Sequence, residues 1–134
     1  MKNYKGKFLL IPVSSDVSPF GVIDNADGSL FDSCETFNAY VHKTLNCDLY
    51  ESVTIQLHSG ERYIMLVDES GLLKDKPINP VAWYFYSRFN PKAPIVGDVL
   101  ICKLCYEDFG EGYPEHDFCC LDDIDITRFR IMLR

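Results

Sequence analysis

One stretch constrains the fold more than any other: Val67 to Val99, which reads VDESGLLKDKPINPVAWYFYSRFNPKAPIVGDV. Its opening cluster, Asp68-Glu69-Ser70-Gly71, stops the hydrophobic run of Tyr63 to Val67 and predicts a turn, with Gly71 expected to supply a positive backbone φ. Further on, Asn79-Pro80 places a capping side chain directly before a proline at the first helical position, which predicts a helix start. Pro91 and Pro94 stop that helix, and Ile95-Val96-Gly97-Asp98-Val99 turns the chain into another strand.

The remaining segments are read against this centre. Phe8 to Val13 has the composition of a first strand, followed by a turn over Ser14 to Ser18 and a short second strand over Phe20 to Ile23. Asp24 to Gly28 has turn chemistry. From Asp32, the spacing to Glu35 resembles a capping box, and Cys34, Phe37, Val41 and Leu45 recur at helical intervals up to Asn46, which tolerates a left-handed cap. Leu49, Glu51, Val53, Ile55 and Leu57 then alternate with polar residues, so a strand with a largely apolar face is expected. A turn at His58 to Glu61 returns the chain as Arg62 to Val67, a hairpin. Val99 to Tyr106 and His116 to Leu121 are strand candidates around a turn-rich loop from Glu107 to Glu115. In the last segment, Asp122 to Arg134, β-branched residues compete with a capping aspartate, and the helix is preferred. Hairpins mixed with two or three helices, without regular alternation, predict a single α+β domain over residues 1–134 with a mainly antiparallel sheet.

A chain of 134 residues is long enough to bury a core as one domain. Thirteen basic residues stand against twenty acidic ones, a formal charge of -7, which disfavours direct nucleic-acid binding through phosphate contacts and suits either plain solubility or a basic partner. The first apolar run, Phe8 to Val13, is too short for a signal-peptide core or a bilayer span, so a cytoplasmic protein with no membrane partner is expected. In that compartment the six cysteines are expected to be reduced and mostly buried.

Three segments together carry a resemblance: Val67-Asp68-Glu69-Ser70-Gly71-Leu72-Leu73-Lys74, Pro77-Ile78-Asn79-Pro80-Val81-Ala82 and Ile95-Val96-Gly97-Asp98-Val99-Leu100. In this order they resemble the family called domain of unknown function 3846, small proteins of phages, plasmids and other bacterial mobile elements. Weaker likeness reaches Leu9-Leu10-Ile11-Pro12, Asp117-Phe118 and Leu121-Asp122-Asp123-Ile124. The chain departs from that family at Asn46-Cys47-Asp48-Leu49, where a glycine-rich passage usually stands. The resemblance implies a mobile-element protein working inside a host bacterial cell, and it supplies no catalytic residues.

The sharpest chemical pattern is Cys102-x-x-Cys105 with His116, Cys119 and Cys120, a set with the ligand types of a tetrahedral zinc site. On an extended strand, however, Cys102 and Cys105 point to opposite faces, and no glycine is placed to form a knuckle, so buried structural cysteines are preferred and no metal is assigned. His42 and His58 have no nucleophile placed beside them, while Asp68-Glu69 and Asp122-Asp123 are explained by turn and capping roles. Gly110-Glu111-Gly112 is too acidic for a phosphate cradle. No catalytic residues and no cofactor are assigned.

The helix after Asn79 is more informative. Trp83, Tyr84, Phe85, Tyr86 and Phe89 occupy too much of its circumference for one apolar stripe, so at least one ring is expected outside the core. Trp83, Tyr84 and Tyr86, with Asn79 at the helix start, are the candidate binding residues. The expectation is a non-enzymatic accessory protein that binds, and inhibits, a host defence protein. Alternatives are a protein that sequesters a nucleotide or other small molecule, a small zinc-stabilised module, and a homo-oligomer that buries the same rings.

Overall fold

Antiparallel pairing joins every neighbouring strand, and the order in space departs from the order in sequence. The computed structural model describes residues 5–13, 20–57, 60–87, 93–108 and 114–132, without the side chains of residues 34, 104–108 and 114–117. Within these run β1 (Gly6–Ile11), β2 (Gly21–Asn25), a 3-10 turn (Ser29–Phe31), α1 (Cys34–Leu45), β3 (Tyr50–Gln56), β4 (Arg62–Asp68), α2 (Pro80–Tyr86), β5 (Val99–Asp108), β6 (Pro114–Cys119) and α3 (Asp123–Met132). The sheet order is β2-β1-β5-β4-β3, with β6 paired to the far half of β5. β1 lies beside β5 from Leu9↔Ile101 to Ile11↔Val99, and Lys7 then bridges to Leu121 after β6. A six-stranded antiparallel sheet with three helices is a small α+β domain, as the sequence predicts.

Alternation along the strands sends two sets of apolar side chains to opposite faces. Leu9, Ile11, Ile55, Tyr63, Met65, Val99 and Ile101 face one side, where Ala82 and Phe85 of α2 and Ile126 and Phe129 of α3 cover them. Phe8, Ile64, Leu66, Leu100 and Cys102 face the other, under Phe37, Val41 and Leu45 of α1. Because both faces are covered, β4 reads as an unbroken apolar run, Tyr63 to Val67, all buried.

Several local expectations change. Asn46 does end α1 in the left-handed region, at φ 50°, ψ 59°. The N-cap of α1 is Ser33 rather than Asp32: its Oγ accepts the Thr36 N–H at 3.0 Å, because Asp32 closes the preceding 3-10 turn. Gly71 does not adopt a positive φ; that conformation falls to Asp75, at 56°, and Gly97, at 75°. The need for glycine at position 71 is steric instead, since a Cβ there would meet Val96 Cγ2 at 2.7 Å. Leu49, expected on the apolar face of β3, is exposed; it lies just before β3, the strand at one edge of the sheet. The turn expected at Ser14 to Ser18 lies outside the described residues, as do His58, Phe89 and Pro91; of the loop expected over Glu107 to Glu115, residues 109–113 lie outside them and the rest extends β5 and β6.

Candidate functional site

Asn79 is the residue on which the central stretch turns. Its Oδ1 accepts the Ala82 N–H at 3.1 Å and caps α2, while its Nδ2 donates to the carbonyls of Ile11 and Gly97, each at 2.9 Å. The side chain thus ties β1, the strand entrance at Gly97 and the helix start together. With 0% exposure and its amide fully engaged, Asn79 is not a surface for a ligand, and its assignment as a binding residue is corrected to a structural one.

The helix it launches has seven residues, with Ala82 and Phe85 buried. Phe85 meets Phe129 of α3 edge-on at 5.2 Å between centroids, which fixes the helix against the sheet. Trp83 and Tyr86 pack against the same core while remaining partly exposed. Tyr84 points outward at 46% exposure, its ring edge-on to Phe85 at 5.5 Å. The Nε1–H of Trp83 is buried and has no hydrogen-bond partner among the described residues. Exposed Ile78 lies immediately before Asn79. The aromatic surface is therefore Tyr84 with the rims of Trp83 and Tyr86.

The loop between β4 and α2 is held by a buried carboxylate. Asp68 Oδ1 accepts the Ser70 N–H at 2.9 Å, and Oδ2 accepts from Lys74 at 3.0 Å and Lys76 at 2.7 Å. Burial alone would raise this carboxyl, but the bonds from Lys76, Ser70 and Lys74 outweigh it and hold its pKa below the ordinary value of 3.8. Lys76 also donates to the carbonyls of Leu45 and Asn46, at 2.7 and 3.0 Å, and so neutralises the C-terminus of α1. Beside this cluster a pocket of about 60 Å³ is lined by Glu51, Val67, Glu69, Leu72, Pro94 and Ile95 among others. Leu72, which lines it, is exposed, as is the neighbouring Leu73. Sequence patterning missed this pocket; the exposed pair of leucines between two charged clusters was its one available signal.

A second buried carboxylate, Asp125, anchors α3. It accepts from the Tyr63 hydroxyl at 2.7 Å, Lys103 at 2.8 Å, Arg128 at 3.1 Å and the Asp122 N–H at 3.0 Å. Asp122 in turn accepts the Asp125 N–H at 2.9 Å, a reciprocal cap. Burial raises the Asp125 carboxyl, yet the bonds from Lys103, Asp122 and Tyr63 prevail and lower it overall. The Tyr63 phenol is pushed well above its usual range by burial and by its bond to Asp125. Asp122 and Asp123 were the carboxylates singled out by sequence, whereas the one at the centre of the network is Asp125. Only the pairing of β4, β5 and α3 reveals it.

The cysteines divide among environments. Cys102 and Cys120 are buried under α1, and burial raises both thiols, with the Asn25 amide 3.5 Å from Cys120 Sγ. Cys119 is disulfide-bonded, so the expectation of six reduced thiols fails at this residue. The side chains of Cys105 and His116 lie outside the described residues. Among the described residues no group of three or more His, Cys, Asp or Glu side chains is arranged to hold a metal ion. His42 stands edge-on to Tyr50 at 5.7 Å, and the Tyr50 hydroxyl donates to Asn38. No helix among the described residues is long and apolar enough to cross a membrane.

No family model, no curated protein and no solved structure matches this chain.

Proposed function

We propose that the protein is a non-enzymatic accessory protein of a phage or other mobile element that binds a host protein through α2 and inhibits it by covering part of its surface. One observation carries this reading. Tyr84 stands exposed on a helix whose start is locked by Asn79 and whose inner ring, Phe85, is fixed against Phe129. A ring held on a rigid support loses little conformational entropy on contact, which favours it as an anchor for a partner. The resemblance of residues 67–74, 77–82 and 95–100 to the mobile-element family supports the setting, and a host defence component is the target class that follows from it. Affinity purification from the native host tests the reading: a partner retained by the unaltered chain and lost with Tyr84→Ala supports it. Absence of a reproducible partner, together with binding of a small metabolite, overturns it.

Exposed Tyr84, flanked by the partly exposed rings of Trp83 and Tyr86, favours a second reading, in which a planar ligand stacks on this aromatic surface. The pocket of about 60 Å³ beside Glu51 is far below the roughly 300 Å³ that a nucleotide-sized ligand occupies, so such a ligand would lie on α2 rather than in that pocket. A thermal-shift screen against nucleotides decides between the two readings.

A further inference from the structure

β3 is the last strand in the sheet path, and its pairing with β4 runs from Tyr50↔Asp68 to Gln56↔Arg62 without a bulge. The flanking bonds, Glu69 N–H to the Leu49 carbonyl at 3.1 Å and Leu57 N–H to the Glu61 carbonyl at 2.9 Å, fix which residues exchange bonds with β4. Those are the odd-numbered ones, so the N–H and C=O groups of Ser52 and Thr54 point away from the sheet. Both residues are exposed and have no hydrogen-bond partner among the described residues beyond the sheet. Sheet edges are ordinarily blunted by lysine, proline or a bulge. β3, YESVTIQ, has none of these; it carries one charge, Glu51, and three consecutive β-branched residues. By contrast β2, at the opposite end of the sheet, has five residues, starts with glycine and includes Asp24.

The occupant of such an edge is indicated by what borders it. Glu51 and its cross-strand partner Val67 line the pocket that Leu72, Pro94 and Ile95 also line. A strand laid against β3 sends alternate side chains over the face of Glu51 and Val53, and one of them reaches this pocket. Its rim is acidic. Asp68 is matched by Lys74 and Lys76, but exposed Glu51 and Glu69 have no cation within ion-pair distance among the described residues. The pocket is narrow and partly apolar, which suits the slim stem of a lysine better than a ring.

We propose that the outer edge of β3 accepts an extended, basic segment of a partner protein as an added strand, with one lysine stem in the pocket and its ammonium group between Glu51 and Glu69. The backbone of Ser52 and Thr54 supplies the pairing groups, and the two glutamates select the charge. A second copy of this chain, with its own formal charge of -7, fits that rim less well. This surface is separate from the rings of α2, and either can fail without the other.

The test is a titration of the isotope-labelled full chain, followed by amide resonances, with a seven-residue peptide of alternating lysine and valine, the length of β3. Ser52 and Thr54 amides are expected to shift and to gain protection from exchange, and Glu51→Lys is expected to weaken binding about tenfold. Thr54→Pro removes an outward N–H without taking a bond from β4, and is expected to abolish the effect. A peptide N-methylated at every valine keeps the charge but cannot donate its N–H groups to β3, so it provides the same control on the ligand side should Thr54→Pro fail to fold. Equal binding of the methylated peptide, shifts confined to α2, or no shift at millimolar peptide overturns the proposal. So do concentration-dependent shifts of Ser52 and Thr54 without peptide, which assign the edge to a second copy.

Discussion

The Asn79 side chain donates to the carbonyl of Ile11 at 2.9 Å across 68 residues of chain, so the capping residue of α2 is also the clasp on the end of β1. Three buried backbone groups depend on that one amide: the carbonyls of Ile11 and Gly97 and the N–H of Ala82. Asn79→Ala leaves all three without their partner, and a destabilisation of roughly 3 kcal/mol is expected by urea denaturation. Asn79→Asp separates the two roles. It keeps the cap but removes both amide donors and places a carboxylate against two carbonyls, so it is expected to be no better than alanine. Recovery of most of the stability by aspartate would show that capping, not the clasp, dominates.

Tyr84→Ala is expected to change stability by less than about 1 kcal/mol, because the ring is 46% exposed and its packing is against Phe85 alone among the ring pairs described. The same variant is expected to lose the host partner in affinity purification. Phe85→Ala empties a buried position against Phe129 and is expected to cost roughly 3 kcal/mol, so denaturation curves for the pair separate the outer ring from the inner one.

Stability is expected to fall at both extremes of pH. Asp68 and Asp125 both have folded pKa values below 3.8, so the stabilisation they contribute is present above the unfolded value and is lost as pH falls through the lower folded value. Tyr63 is shifted the other way. Its protonated form is favoured by burial and by the bond to Asp125, so that contribution is present below pH 10.0 and fades as pH rises above it. Chemical denaturation across the pH range checks both limbs. Tyr63→Phe is expected to flatten the alkaline limb while leaving the Asp68 part of the acid limb in place.

Gly71→Ala is expected to destabilise the chain by about 1–3 kcal/mol through its contact with Val96, since the added Cβ falls 2.7 Å from Val96 Cγ2. The backbone at position 71 needs no positive φ, so Val96→Ala in the same chain is expected to recover a large part of the loss. A double-mutant cycle measured by thermal denaturation gives the coupling. No recovery would place the cost in the backbone instead.

Much of the fold was legible because it is decided between near neighbours in sequence. Asn79-Pro80 starts a helix since the cap oxygen and the missing proline N–H act within one turn, and Asn46 ends α1 for an equally local reason. The hairpin of β3 and β4 follows from alternation around a short polar turn. The helix preferred over a strand at the C-terminus is α3, in which the β-branched Ile126 is buried in the core while Ile124 and Ile131 are exposed. At the start of α1 the sequence reading chose the wrong cap: Asp32 and Ser33 can each cap a helix, and the preceding 3-10 turn consumed the aspartate.

The candidate surfaces were legible only in part. Crowding of rings on α2 requires one of them to face outward, and that much is fixed by the circumference of a helix. Which ring it is depends on where Phe129 of α3 meets the helix, and that contact selects Phe85 as the inner ring.

The sequence by itself determined most of the elements and the caps at Asn46 and Asn79, because these depend on backbone sterics and on residues a few positions apart. Tertiary structure alone decided that Asn79 is buried, that Asp125 rather than its neighbours gathers Tyr63, Lys103 and Arg128, and that β3 is an open edge beside an acidic pocket. Each of these depends on which distant strands become neighbours. A carboxylate or an amide carries no mark in sequence of the groups that folding will bring within 3 Å of it.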